Sequence, residues 1–418
     1  MPFFKGSDIL NKFIDLANKS VENKDYTEAI KYLNLAINNK EYEAYSILAM
    51  FYITGLSVDK DVNKGLEYLY LGEKYNDPKS ISMLVDFYYN GIYVEKDLVK
   101  ARIYYEKACD LNEGHAIGMV GLFYYNEENY SEAIIFFKSG VTFHDQNSMF
   151  YLGICAFKGL GMDKDYKLSF MLFNKLYEYG NKNSDLIKYL ADSYFNGYGI
   201  NQDILKAKEL YETLNDDESI FNLGLIYKNH LKDYEKALVT FKRVKSVESQ
   251  FEQALMLYNG LGCIENKNDA YFKFYACAAS KYVYAYPFVG DAYYYGYGVK
   301  KDYNEALSWY RLALDNNIPN QYINIASVYM KFKNYKEAIN YLDNETDSAN
   351  KYKLIAEAYM KLKKYEDAYN SYLKAKELGD IYSIYELYRL TKKGKGITKN
   401  KELANKYYLE YLMYYNKE

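Results

Sequence analysis

The chain has 418 residues, half of them hydrophobic and 26% charged, with a formal net charge of −3. That balance argues against a general nucleic-acid binder, which would carry a basic surplus, and only four prolines interrupt it, which suits long helices. The four cysteines, Cys109, Cys155, Cys263 and Cys277, make no CxxC pair and no zinc-type spacing, so they read as reduced thiols of a cytoplasmic protein. No segment approaches the roughly 18 uninterrupted apolar residues of a membrane span.

The first expected helix opens at Ser7 and carries Ile9, Leu10, Phe13 and Ile14 on one side. Beyond it a glycine-centred loop recurs, at Gly55 (GLSVDKD), Gly91 (GIYVEKD), Gly159 (GLGMDKD), Gly197 (GYGINQD), Gly260 (GLGCIENKND), Gly296 (GYGVKKD) and Gly394 (GKGITKN). Neighbouring loops lie 36, 38 and 36 residues apart (55 to 91, 159 to 197, 260 to 296), and the wider gaps of 68, 63 and 98 are near multiples of that unit. A fixed period of this length marks an array in which each unit buries its apolar face only against its neighbours.

The loops align on their first glycine. Six residues earlier stand Ala49, Val85, Gly153, Ala191, Ala254 and Gly290, with Tyr388 as the exception; ten later stand Gly65, Ala101, Ser169, Ala207, Ala270, Ala306 and Ala404. Fourteen later comes a large residue: Leu69, Tyr105, Phe173, Tyr211, Phe274, Tyr310 and Tyr408. These offsets are helical on both sides of the loop. They predict a first helix (A) and a second (B) brought close by small residues, with the glycine ending helix A. Asp61, Asp97, Asp165 and Asp302 are placed to cap helix B. The wide gaps hold a shorter unit marked Tyr-x-x-Ala, in NKDYTEA, EENYSEA, LKDYEKA, FKNYKEA and LKKYEDA, with Tyr at the start of helix B.

On these residues the short units resemble tetratricopeptide repeats, and the longer ones resemble Sel-like repeats, a sister family with a G-x-G-V-x-x-D type loop. The fold expected is all-α: a right-handed α-solenoid of about twelve helix-turn-helix units, forming one continuous repeat domain over 1–418. Sel-like units are expected at about 41–112, 146–215, 247–316 and 380–414, and tetratricopeptide-like units at about 8–40, 113–145, 216–246 and 317–379. The units at 41–76 and 77–112 lack the second loop glycine.

In both families helix A lines the inner wall of the superhelix. That resemblance places an aromatic ridge, Tyr89, Tyr125, Phe157, Phe195, Tyr258 and Tyr294, beside a row of amides, Asn90, Asn126, Asn196 and Asn259, with Asp192 and Asp291 on the same wall. Amides that both donate and accept suit a peptide backbone, and aromatic rings supply anchoring area. From 331 onward there are 18 basic and 13 acidic residues, a net of +5 that leaves −8 before it. Lys331, Lys361, Arg389, Lys392 and Lys393 form a basic end suited to a carboxylate-rich or phosphate-bearing partner. The final helix, with Leu403, Tyr407, Tyr408, Tyr411, Leu412, Tyr414 and Tyr415, is apolar on more than one side, a surface for self-association.

The three histidines, His115, His144 and His230, fall in different units, and no GK[ST] follows any glycine loop, so no metal, cofactor or nucleotide role is expected. The expected function is a non-enzymatic scaffold or adaptor holding a protein or peptide. The alternatives are an inhibitor or immunity-type protein sequestering one dedicated toxin or effector, and, least favoured, a nucleic-acid-associated regulator.

Overall fold

The computed structural model describes residues 12–111 and 114–415, without the side chains at 109, 110, 114–116 and 415. The expected helix start at Ser7, with Ile9 and Leu10, lies outside the described residues; the helix is described from Lys12 to Glu22. The described residues fold as helices joined by turns, without a β-strand, and within the stretches Lys12–Tyr211 and Asp217–Tyr415 each helix packs on its neighbours in the chain. They group into two compact units, up to Leu214 and from Asn215 onward.

Each repeat is an A helix, a loop and a B helix, as in Pro78–Asn90 with Leu98–Asp110, or Tyr286–Tyr295 with Tyr303–Asp315. The loop chemistry read from the sequence is present. The first glycine of every loop is left-handed, from Gly260 at φ 65° to Gly296 at φ 83°, and closes helix A. Asp61, Asp97, Asp165 and Asp302 accept backbone N–H bonds from the first turn of helix B. In the short repeats the left-handed turn residue is a Lys or Glu (Lys24, Glu128, Lys232, Lys333, Lys363), and Tyr26, Tyr130, Tyr234, Tyr335 and Tyr365 each begin helix B.

The second loop glycine has a separate task. A Cβ on Gly199 would stand 2.1 Å from the carbonyl oxygen of Tyr166, and one on Gly396 would stand 2.1 Å from that of Tyr365. The loop of one repeat thus lies against the first residue of the preceding helix B, and only hydrogen fits between them. Where that glycine is missing, Ser57 and Tyr93 take the left-handed conformation in its place, at φ 57° and 62°.

Small and large residues interlock inside each repeat. A Cβ on Gly290 would come within 2.6 Å of the Tyr310 ring, and one on Gly153 within 2.7 Å of Phe173. The B-helix residue lies over the small A-helix position, so Leu69, Tyr105, Phe173, Tyr211, Phe274 and Tyr310 are almost wholly buried. The last repeat reverses this. Tyr388 fills the small position with a ring, its partner Tyr408 stands 5.0 Å away, centroid to centroid, and Tyr408 is 41% exposed.

The helix A of 216–246 is distorted. Its last turn, Ile226–His230, is π-helical, and Leu231 donates its N–H to the Ile226 carbonyl at 3.0 Å. The sequence carries no marker for this.

Candidate protein-binding site

The A helices of consecutive repeats touch directly along parts of the chain: Ala44–Thr54 with Pro78–Asn90, Pro78–Asn90 with Gly114–Asn126, Gly114–Asn126 with Gln146–Lys158, and Gln321–Lys331 with Ala349–Lys361. The expected ridge residues stand in the last turns of Pro78–Asn90, Gly114–Asn126, Gln146–Lys158, Ser184–Asn196, Val247–Asn259 and Tyr286–Tyr295, and each ring is half-buried. Tyr89 packs edge-on against Tyr105 at 6.2 Å, Tyr125 lies 5.1 Å from Tyr151, Phe157 lies 4.9 Å from Tyr189, and Phe195 lies 6.1 Å from Tyr211. Tyr258 meets Phe274 and Phe288, and Tyr294 meets Tyr295 and Tyr303. Each ring therefore gives part of its surface to the stack and leaves part to solvent. Burial pushes the hydroxyls of Tyr125, Tyr258 and Tyr294 up to about 12, so they remain donors at neutral pH.

The amides sit beside these rings and are exposed. Asn90, Asn196 and Asn259 turn a side-chain N–H back onto their own helix, to the carbonyls of Asp86, Asp192 and Leu255 at 3.0, 3.0 and 2.8 Å. Each of these carbonyls already accepts the i+4 backbone N–H of its own helix, so the amide adds a second bond to the same oxygen. Asn126 differs: it donates to the Tyr89 hydroxyl, joining two consecutive A helices. The amides therefore have a structural role that the residue pattern alone did not give, and each keeps a side-chain carbonyl as acceptor.

Asp192 and Asp291 lie on the same helices and accept the hydroxyls of Tyr211 and Tyr310, at 2.6 and 2.7 Å. They tie helix A to helix B, and burial pushes the Asp291 carboxyl up from its ordinary range. Lys228 forms an ion pair with Glu252 in the next A helix, and Lys331 lies 5.8 Å over the Tyr294 ring.

The basic end contains a cleft of about 680 Å³ between Ile381–Lys393 and Lys401–Tyr415. Arg389, Lys392 and Lys393 line it, joined by Lys399, Lys401, Tyr385, Tyr388, Ala404 and Asn405, and among the described residues no acidic side chain does. Lys331 and Lys361 do not line it; they are exposed at the ends of the two preceding A helices. Sequence reading missed Lys399 and Lys401. They lie five and seven residues after Gly394, where the loop returns helix B toward the end of helix A. The final helix buries Ala404 and Tyr407 and leaves Tyr408, Leu409, Met413 and Tyr414 exposed.

Among the described residues no group of three or more His, Cys, Asp or Glu stands close enough to hold a metal, and no helix is long and apolar enough to cross a membrane. His144 and His230 are exposed at helix ends; the His115 and Cys109 side chains lie outside the described residues. Cys155 and Cys277 are buried, and burial pushes both thiols up to about 11, away from reactivity.

Stacked helical hairpins with glycine-closed loops define a repeat-built α-solenoid protein, a class whose members generally serve as protein-interaction scaffolds. The chain belongs to the Sel1 repeat family. That family matches residues 21–40, 43–72, 83–113, 146–181, 188–213, 247–281, 283–318 and 389–410, over half of the chain, and tetratricopeptide repeats match 218–247 and 322–344. An uncharacterised Sel1-like repeat-containing protein of Schizosaccharomyces pombe is 24% identical over 240 residues, covering 44% of this chain and 36% of that protein. The match thus spans little more than a third of that relative's length. Among solved structures, a protective antigen of uropathogenic Escherichia coli strains, displaying an SLR fold, superposes with a TM-score of 0.61 at 22% identity, over 83% of this chain and 79% of that one. A Sel1 repeat protein from Oxalobacter formigenes gives a TM-score of 0.44 at 22% identity, over 51% of this chain and 90% of that one.

Proposed function

We propose that this chain is a non-enzymatic scaffold that holds a protein or peptide segment against the wall of A helices, as one continuous repeat domain in the cytoplasm. The observation that carries this reading is the recurrent pair at the end of helix A. A half-buried ring is followed by an exposed amide at Tyr89–Asn90, Tyr125–Asn126, Phe195–Asn196 and Tyr258–Asn259. The rings offer apolar anchoring area already fixed by packing, so little side-chain entropy is lost on binding. The amide carbonyls offer acceptors to the N–H groups of a docked backbone.

The rings also hold the stack together, so replacing them would confound binding with stability. The test uses exposed positions instead. Affinity capture from the source cell's lysate identifies the partner by mass spectrometry, and purified protein then gives its affinity. Asn90→Arg with Asn196→Arg places two bulky charges at helix ends without emptying the core or breaking a bond between repeats. The expected result is a loss of at least about tenfold in affinity with helicity unchanged. A variant that binds the captured partner as tightly as the parent overturns the assignment. One partner held at one-to-one stoichiometry would turn the reading toward a dedicated inhibitor, and several partners held more weakly toward an adaptor.

A further inference from the structure

In the 282–316 repeat, Tyr294, Tyr303 and Leu307 pack with Tyr310 against Ile325 and Val328 of the following A helix. This face receives the next repeat. Counting from the loop glycine, the same positions in the last repeat are Lys392, Lys401 and Asn405. At the Lys392 position the other Sel-like repeats carry Ile53, Tyr89, Phe157, Phe195, Tyr258 and Tyr294, apolar or aromatic without exception. At the Lys401 position they carry Val62, Leu98, Tyr166, Ile204, Lys267 and Tyr303, and Lys267 there is held between the Tyr258 and Tyr297 rings.

The exchange changes what the face can receive. An apolar helix laid on it would bury ammonium groups without partners, which is strongly unfavourable. The substituted residues instead line the 680 Å³ cleft, together with Arg389, Lys393 and Lys399. Tyr385 and Tyr388 also line it, and Tyr388 occupies a position held by Ala, Val or Gly in the other Sel-like repeats. Arg389 is paired with Glu386 at 2.7 Å, and Lys392 donates to the Tyr388 hydroxyl at 2.7 Å. Lys393, Lys399 and Lys401 are exposed point charges on flexible stems.

We infer that this cleft is a docking site for an acidic peptide segment, several of whose carboxylates are held at once by Lys392, Lys393, Lys399 and Lys401. The chemistry separates this ligand from a single phosphate. A phosphate pocket draws its donors together, from backbone N–H groups or a free guanidinium fork. Here Nη1 of the guanidinium is already paired with Glu386, and the lysines line a space far larger than one phosphate. Dispersed lysines match dispersed carboxylates, and the tyrosine faces cover the aliphatic parts of such a segment. This deepens the scaffold reading by naming a second contact for a partner, and it does not depend on the A-helix wall.

The test is fluorescence anisotropy with fluorescein-labelled octaglutamate, and octaglutamine of the same length as control. Octaglutamate is expected to bind, more weakly as salt rises to about 0.15 M, and octaglutamine is not. Lys392→Glu with Lys401→Glu should weaken binding at least about tenfold. Lys331→Glu with Lys361→Glu makes the same change in net charge outside the cleft and should leave affinity within about twofold. All four lysines are exposed, so circular dichroism should show unchanged helicity. Equal weakening by both double variants, equal binding of octaglutamine, or tighter binding of a ten-residue oligothymidylate would each overturn the assignment. Asn90→Arg with Asn196→Arg should leave octaglutamate binding intact, so failure of the cleft and failure of the wall are read separately.

Discussion

The Tyr310 hydroxyl donates to Oδ1 of Asp291 at 2.7 Å, and the bond recurs in another repeat as Tyr211 to Asp192 at 2.6 Å. Both pairs span 19 residues and fasten helix B to helix A behind the proposed binding wall. Asp86 and Tyr105 hold the same positions in the 77–112 repeat, yet the Tyr105 hydroxyl is buried without a hydrogen-bond partner.

This contrast gives the first prediction. Tyr310→Phe removes a bond to a carboxylate and leaves that carboxylate partly buried, so it should cost about 1.5–3 kcal/mol. Tyr105→Phe removes a hydroxyl that pays desolvation for no bond, and should be neutral or stabilising by up to about 1 kcal/mol. Urea unfolding of the two variants checks the pair. Equal destabilisation would mean that the Tyr105 hydroxyl has a partner in solution.

The second prediction concerns pH. Burial raises the Asp291 carboxyl above its ordinary value of 3.8, and the Tyr310 hydroxyl partly offsets this. The folded protein therefore holds the Asp291 proton more tightly than the unfolded chain does. The resulting stabilisation is fully present below about pH 4 and is lost as pH rises through the raised folded value. Asp291→Asn removes the titration while keeping an acceptor for Tyr310. The stability of the variant relative to the parent should therefore climb as pH rises from about 4. Thermal melts across that range check it, and a difference independent of pH would contradict it.

The loops carry a third. Gly199→Ala places a methyl 2.1 Å from the Tyr166 carbonyl at a left-handed position, so the inter-repeat contact must open; the expected cost is at least about 3 kcal/mol. Gly180→Ala meets the same kind of backbone strain at φ 84° with nothing within 4 Å, and should cost only about 1–2 kcal/mol. Paired denaturation curves separate steric contact from strain.

These positions also show what was legible in the sequence. Gly55, Asp61 and Tyr26 declare their roles because a left-handed helix end, an N-cap and a helix start depend on a few neighbouring residues. Gly290 and Tyr310 declare theirs because a small residue facing a large one repeats at a fixed offset. The task of Gly199 was not legible, since its partner Tyr166 belongs to the previous repeat and the approach depends on how one repeat is rotated on the next. Lys399 and Lys401 were missed for the same kind of reason: the loop folds them back beside Lys392. The turn of Asn90, Asn196 and Asn259 onto their own helices was local, and the run of ring followed by amide hid it behind a recognition pattern.

Asn126 gives the last prediction, because it alone of the four amides bonds to a neighbouring repeat, at the Tyr89 hydroxyl. Tyr89→Phe with Asn126→Ala should therefore show a coupling energy of about 0.5–1 kcal/mol in a double-mutant cycle of unfolding. Tyr258→Phe with Asn259→Ala should be additive, because Asn259 bonds to the Leu255 carbonyl of its own helix and not to the ring beside it. The comparison bears on the binding wall. Coupling at Tyr89 and Asn126 would mean that two consecutive A helices are fixed to each other before any partner arrives, so a docked segment meets a preorganised surface there. Additivity at both sites would mean that the bond does not persist in solution, leaving the Asn126 donors free for a partner's backbone.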